Sequence, residues 1–466
     1  MLDPTLLHVR FLIRGVCLAI SLSSALAAEP CRILVVDDQN GWPVPLVKLE
    51  TTHHATFITD NAGVVAFDLP ELMGQETWLS LTADGYEIKA DGFGFRGFRF
   101  TPTSGETHEV KVTRTSIAQR LGRLTGAGQF AESQKLGQHL DWQESGVLGC
   151  DSVQNVIHDG KLFWAWGDTN LAKYPLGIFH MTSATTAPLP LSDWKAPLTL
   201  TFDYFRDDAG AVRAVANVAP DDPGPTWLGG YASLPDTEGK AHLVACYSKI
   251  KAPLDAYRIG LCEWDPATES FQSVKVLWDE QTGGSRPKLL PDGHPVRWTD
   301  PENREWLLFG DPFPALKMPA TWEAWQDPTQ WEELDSPKTL TNLDGKKIKV
   351  HRGAITWNEH RQGWVTIFGE NGGKPSVLGE IWYAEAKSPL GPWGPAVKVL
   401  SHQAHTFYNP QLHPELVPAG SSVLLFEGTY TTTFSKTKEA TARYDYNQIL
   451  YRVDLDDPLL APAWQE

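Results

Sequence analysis

From Cys150 onward the chain repeats one pattern five times. A polar residue leads into a short strand, a turn follows, and an apolar strand ends at another polar residue. The copies are "CDSVQNVIHDGKLFWAWGD", "GGYASLPDTEGKAHLVACYS", "TDPENREWLLFGD", "RGAITWNEHRQGWVTIFGE" and "YNPQLHPELVPAGSSVLLFEGTY". Third strands follow four of them, as "LGIFHMTSA", "YRIGLCEWDP", "GEIWYAEAKSPLGPW" and "NQILYRVDLDDP". Self-similarity at a period of roughly 40 to 50 residues marks a propeller, because each unit can bury its apolar faces only against its neighbours. The pattern predicts a five-bladed β-propeller over residues 127–466.

The 466 residues exceed what one small core needs, so a second domain is expected. A balance of 40 basic against 57 acidic residues, formal charge −17, excludes a phosphate-tracking surface and so a nucleic-acid partner. A neutral partner fits better. Arg10 and Arg14 precede an apolar stretch from Gly15 to Leu26, and Ala25-Leu26-Ala27 has the small-x-small form of a cleavage site. Residues 1–27 therefore read as a signal peptide, with a secreted or periplasmic destination and no membrane association after cleavage. Cys31, Cys150, Cys246 and Cys262 remain, either as disulfides, with Cys246–Cys262 the first pair to consider, or as buried thiols. None has zinc-ligand spacing.

Residues 28–114 alternate with period two between Gly, Asn and Asp turns, as in "CRILVVDD", "ATFITDNAGVVAFD" and "HEVKVTR", which predicts a small β-sandwich. The stretch "GWPVPLVKLETT…TDNAGVVAFDLPELMGQ…LTADGYE" resembles the carboxypeptidase regulatory-like, transthyretin-like sandwich. That resemblance implies a supporting or adhesive role. In 115–126, "TSIAQRLGRLTG", the spacing of Ile117, Leu121 and Leu124 predicts a short helical linker. The last blade lacks an outer strand, which "GAGQFAES" around Gln129 is expected to supply. The expected fold class is all-β: a sandwich followed by a five-bladed propeller.

In a propeller the start of each innermost strand and the end of the next share one mouth of the channel. That places Asp151 with Asp168, Asp300 with Asp311, Arg352 with Glu370, and Tyr408 and Asn409 with Glu427 around it. Glycosidic cleavage needs such a set: one carboxylic acid protonates the leaving oxygen while a carboxylate attacks or activates water. The plain alternative is that Asp and Gly merely punctuate turns at strand ends. Trp227, Trp298, Trp322 and Trp325 offer ring faces on which sugars stack.

The blade openings "CDSVQNVIHDGKLFWAWGDTN" and "TDPENREWLLFG", with "SPLGPW" and "YNPQLHPEL", resemble the five-bladed glycosidases of the arabinanase, levansucrase and invertase superfamily, including glycoside hydrolase family 43. The resemblance implies Asp151 as general base and Asp300 as the aspartate that tunes the acid. It leaves the acid without a clean match, since the fourth blade opens with Arg352-Gly353; Glu370 and Glu427 are the available carboxyls, and Glu380 is also displaced. It further implies that His405 helps hold a channel metal, often calcium; no cofactor is required for the chemistry. The reading is an exported glycoside hydrolase acting on a polysaccharide or oligosaccharide, with Asp168, Asp311, Arg352, His405, Tyr408, Asn409 and Trp298 binding substrate. A non-catalytic carbohydrate-binding propeller and a surface adhesin or scaffold remain the alternatives, and the oligomeric state stays open.

Overall fold

The computed structural model describes residues 29–178, 181–187, 191, 194–216, 218–219 and 221–464, with side chains of 174–178 omitted. The expected signal peptide lies outside the described residues. No helix among them is long and apolar enough to cross a membrane.

The N-terminal part is a sandwich of two four-stranded sheets. One runs in the spatial order Val64–Phe67, Cys31–Asp37, Thr107–Arg114, Tyr86–Glu87, and the other Thr56–Ile58, Lys48–Thr51, Thr77–Thr82, Gly97–Phe100. Alternate residues such as Ile33, Val35, Leu49, Leu79 and Val112 point inward and are fully buried between the sheets.

Five blade sheets then follow, together with a small three-stranded sheet of Val147–Cys150, Thr169–Leu171 and Tyr174–Ile178 beside the first, and Thr339–Thr341 pairs onto the start of the long strand of the fourth. The innermost strands of the blades are Gln154–His158, Thr226–Pro235, Val296–Thr299, Lys347–Asn358 and Thr406–Leu412. We number the blades 1 to 5 in that order. The apolar run Leu162–Trp166 is buried on both faces because a blade strand has a neighbouring blade on each side. Phe163 and Ala165 pack with Leu243 and Cys262 of blade 2, whereas Leu162, Trp164 and Trp166 pack with Leu425 and Leu450 of blade 5.

The segment expected to be a helical linker is a strand. Gln119–Arg123 is buried throughout and pairs antiparallel with the third strand of blade 5, Tyr451 opposite Arg120 and Ile449 opposite Arg123. The unpaired edge of the last blade decides this, since a ladder of hydrogen bonds outweighs a weak helical spacing of three apolar residues. The ring is thus closed by this segment and not by the residues around Gln129, where a short helix, Ala131–Lys135, lies instead.

That closing strand also ties the ring to the sandwich. The buried Arg120 guanidinium donates to the carbonyls of Pro45, Leu46 and Asp84 and to the Tyr451 hydroxyl. Asn61 of the sandwich exchanges hydrogen bonds with the Arg123 backbone, 2.9 Å each way.

All four described cysteines are free and buried. Cys246 and Cys262 do lie on adjacent strands, but Cys246 faces Leu261 and Cys262 faces Ala245. That one-residue offset sends their side chains to opposite faces of the sheet, so of the two alternatives the buried thiols hold and the disulfide does not.

Candidate functional site

The first hairpin of blade 1 continues beyond its ladder to the mouth. The Asp151 amide donates to the Asp168 carbonyl over 3.2 Å, and the Gly167 amide donates to the Asp151 carbonyl over 2.7 Å. Both carboxylates therefore stand on one rim. Gly167 is required there, because a Cβ at that position would sit 2.2 Å from Asp151 Oδ1.

The two carboxyls differ in their surroundings. Asp151 Oδ2 accepts from the Tyr408 hydroxyl at 2.8 Å, and the Tyr446 hydroxyl also reaches this carboxylate. Burial pushes the Asp151 pKa up, and these donors oppose the rise. Asp168 is pushed up to about 6, first by burial and then by the charge of Asp151, with only Trp227 opposing. Its Oδ1 is buried with no hydrogen-bond partner. Burial and the Asp151 charge both favour a proton on Asp168 as the pH falls toward 6, while the two tyrosine hydroxyls favour charge on Asp151.

Strain gathers at the same place. Ser152, Asn409 and Tyr446 have φ of 52°, 50° and 62°, left-handed values that asparagine tolerates but that are costly for Ser152 and Tyr446. They are held by contacts across blades: Asn409 Nδ2 donates to Ser152 Oγ at 2.6 Å, and the Ser152 amide donates to Thr429 Oγ1 at 3.0 Å.

Across the channel stands a second polar group. Asp311, at the end of the second strand of blade 3, accepts from Arg352 Nη1 at 3.0 Å and from the Gly353 amide at 2.7 Å. Burial raises the Asp311 pKa while Arg352 and Gly353 oppose the rise. His294 is driven down to about 3 by burial and by Arg352, and burial with Arg352 also lowers His351. Both imidazoles are therefore neutral at neutral pH. Asp292 is exposed, and its Oδ1 accepts from the Gly293 amide at 2.7 Å. It lies against the innermost strand of blade 2, where a Cβ on Gly229 would fall 1.8 Å from Asp292 Oδ1 and 3.4 Å from Gln154 Nε2.

Several expected site residues are elsewhere. Asp300 follows its innermost strand, Val296–Thr299, and so sits at the opposite end of the channel. There it accepts from the amides of Glu302 and Arg304 and from Trp306 Nε1, the chemistry of a turn cap. The residue that precedes the strand much as Asp151 does is Asp292, within "PDGHP", four residues ahead of Val296 where Asp151 is three ahead of Gln154. Trp298 is paired with Trp306 near that far end and packs between blades 3 and 4. Glu370 does end its strand at the mouth, but its carboxylate is engaged by Lys346 Nζ at 3.3 Å and Trp382 Nε1 at 3.1 Å.

Glu427 is buried between blades 5 and 1. Its Oε1 lies 2.9 Å from His413 Nε2, within ion-pair range though not aligned as a hydrogen bond, and Glu415 holds the other ring nitrogen at 2.9 Å. Burial opposes charge on His413, yet the two glutamates outweigh it and hold its pKa at about 9. His405 directly precedes the innermost strand of blade 5, where its ring stacks on Tyr430 with centroids 4.7 Å apart and lies within 3.2 Å of the Glu439 carbonyl. It does not fit the expected metal role, and no group of three or more His, Cys, Asp or Glu among the described residues could hold a metal ion.

No family model matches the chain, and no curated protein does. Among solved structures it is similar to an exo-1,5-α-L-arabinanase from a bovine ruminal metagenomic library, at 12% identity and TM-score 0.37 over 66% of this chain and 94% of that one. It is also similar to the Bacillus subtilis arabinanase, at 10% identity and TM-score 0.34 over 66% and 96%. An exo-β-1,3-galactanase from Clostridium thermocellum aligns at 10% identity and TM-score 0.37 over 72% and 62%.

Proposed function

We propose that this protein is an exported glycoside hydrolase whose reaction takes place at the mouth of the propeller. The observation that carries the reading is the Asp151–Asp168 pair, in which Asp168 is raised to about 6 beside a carboxylate held by Tyr408 and Tyr446. Asp168 donates its proton to the departing glycosidic oxygen as the C–O bond breaks. Asp151 supplies the negative charge on the other side, either attacking the anomeric carbon or removing a proton from water. Asp292, Arg352 and the neutral imidazoles of His294 and His351 form the opposite wall, where they hydrogen-bond sugar hydroxyls; Asn409 fixes the rim through Ser152. Asp311 acts on Arg352 by holding its guanidinium.

The test is a screen of plant, algal and bacterial polysaccharides for released reducing ends, with wild type, Asp151→Asn and Asp168→Asn. Cleavage by wild type alone supports the assignment. Folded Asp151→Asn protein that turns over as wild type does would refute it, and stable binding without cleavage would favour a carbohydrate-binding propeller.

A further inference from the structure

We propose that the groove between blades 1 and 2, on the face opposite the mouth, is a second, non-catalytic binding site for a glycan chain. This rests on the reading of the protein as glycan-active, but the groove lies outside the reaction site. Asp151 precedes the innermost strand of blade 1, Gln154–His158, and His158 closes it at the other end, so the strand alone sets them roughly 13 Å apart along the axis. The turn from Pro266 to Glu269 lies at the same far end of blade 2, since Asp265 pairs with Ser270 there while Trp227 reaches Asp168 at the mouth.

The groove has a cavity volume of about 460 Å³, within the range for small-molecule pockets and enough for two or three sugar units. Its floor is aromatic. Phe163 is buried, while Phe205 and Trp264 are half-exposed, and the three rings touch with centroids 5.1 to 5.7 Å apart. The rim carries both signs: Lys161 and Asp203 are exposed, while Arg206 donates to the Gly210 and Ser145 carbonyls and Glu269 accepts from Arg213 Nη2 at 3.0 Å. Sugar rings present apolar C–H faces and a belt of hydroxyls that are both donors and acceptors. A floor of rings within a rim of mixed charged groups suits them better than it suits an anion, which the carboxylates would repel, or a hydrocarbon, which would desolvate them.

The experiment is affinity electrophoresis of the full chain through native gels containing arabinan, β-1,3-galactan, xylan or β-glucan. Compared are wild type, Asp168→Asn, Trp264→Ala, and the surface variants Lys161→Ala and Asp203→Ala, with melting curves on each. The expected result is retardation by at least one polysaccharide, kept by Asp168→Asn, and weakened about tenfold or more by Trp264→Ala and severalfold by Lys161→Ala and Asp203→Ala. If Trp264→Ala does not fold, the two surface variants decide. Retardation unchanged in the folded groove variants overturns the proposal, as does an absence of retardation in all four gels. Groove-dependent retardation without cleavage of any polysaccharide would overturn the hydrolase reading and leave the groove standing, whereas cleavage without retardation does the reverse.

Discussion

Asp151 and Asp168 are joined backbone to backbone, amide to carbonyl, at 3.2 Å, and their side chains share one rim of the channel. Because the Asp168 pKa is raised to about 6, its protonated form is the one the fold favours. The folded state then binds more protons than the unfolded state between about pH 4 and 6, so this group's contribution to stability falls as pH rises through that window. Activity that needs the proton should decline above about pH 6. Asp168→Asn should remove that alkaline limb with the activity, and its melting temperature should change less with pH between 4 and 7 than that of wild type. Thermal melts and pH–rate profiles check both.

The roles within the pair are separable by leaving group. An aryl glycoside with an acidic phenol needs little protonation as it departs, so Asp168→Asn should retain far more activity on it than on the polysaccharide. Asp151→Asn should lose about 100-fold or more on both substrates. Steady-state kinetics with the two substrate types give the answer.

Asp292 and Asp300 should part company in the same assay. Asp292→Asn is expected to raise KM or lower kcat markedly while the fold persists, since Asp292 is exposed at the mouth and the one described hydrogen bond of its carboxylate is accepted from the neighbouring Gly293 amide. Asp300→Ala should instead lower the melting temperature and leave activity per folded molecule unchanged, because its oxygens serve a turn and the Trp306 indole.

His413 carries a pH signature of its own. With its folded pKa near 9, above the unfolded value of about 6.5, the stability it contributes is fully present below about pH 6.5 and is lost as pH rises through about 9. Glu427→Gln takes away one of the two opposing charges and should shift that loss to lower pH. Melts from pH 6 to 10 on both proteins show whether it does.

The Arg120 guanidinium, fully buried, has three acceptor carbonyls in the sandwich. Arg120→Met should cost at least about 3 kcal/mol, since it strands those carbonyls without a donor. A chain lacking residues 29–114 should fail to give a soluble propeller. Denaturant unfolding of the point variant and expression of the truncated chain are the measurements.

The five-fold repeat was legible because burial on both faces leaves apolar runs such as Leu162–Trp166 that only stacked blades explain. Asp151, Asp168, Asp311, Arg352, Tyr408 and Asn409 were found at the mouth for the same reason: strand ends follow from the repeat. Asp300 was misplaced because an aspartate before a turn and an aspartate before a strand look alike in one dimension, and Asp292 was missed for the converse reason. His294 and His351 could not be singled out, since what makes them notable, their burial beside Arg352, exists only across blades. The strand Gln119–Arg123 was read as a helix because its partner lies at the other end of the chain.

That partnership sets an order of assembly. Arg120 and Tyr451 are 331 residues apart in sequence, so the ring stays open until almost the last strand has been made. Until then Gln119–Arg123 is an unpaired edge with its buried arginines exposed, and the nascent chain carries a loose latch. Losing only the final twenty residues, which begin with the partner strand Asn447–Asp454, would leave that latch with nothing to catch, and should harm the molecule as much as losing a whole blade.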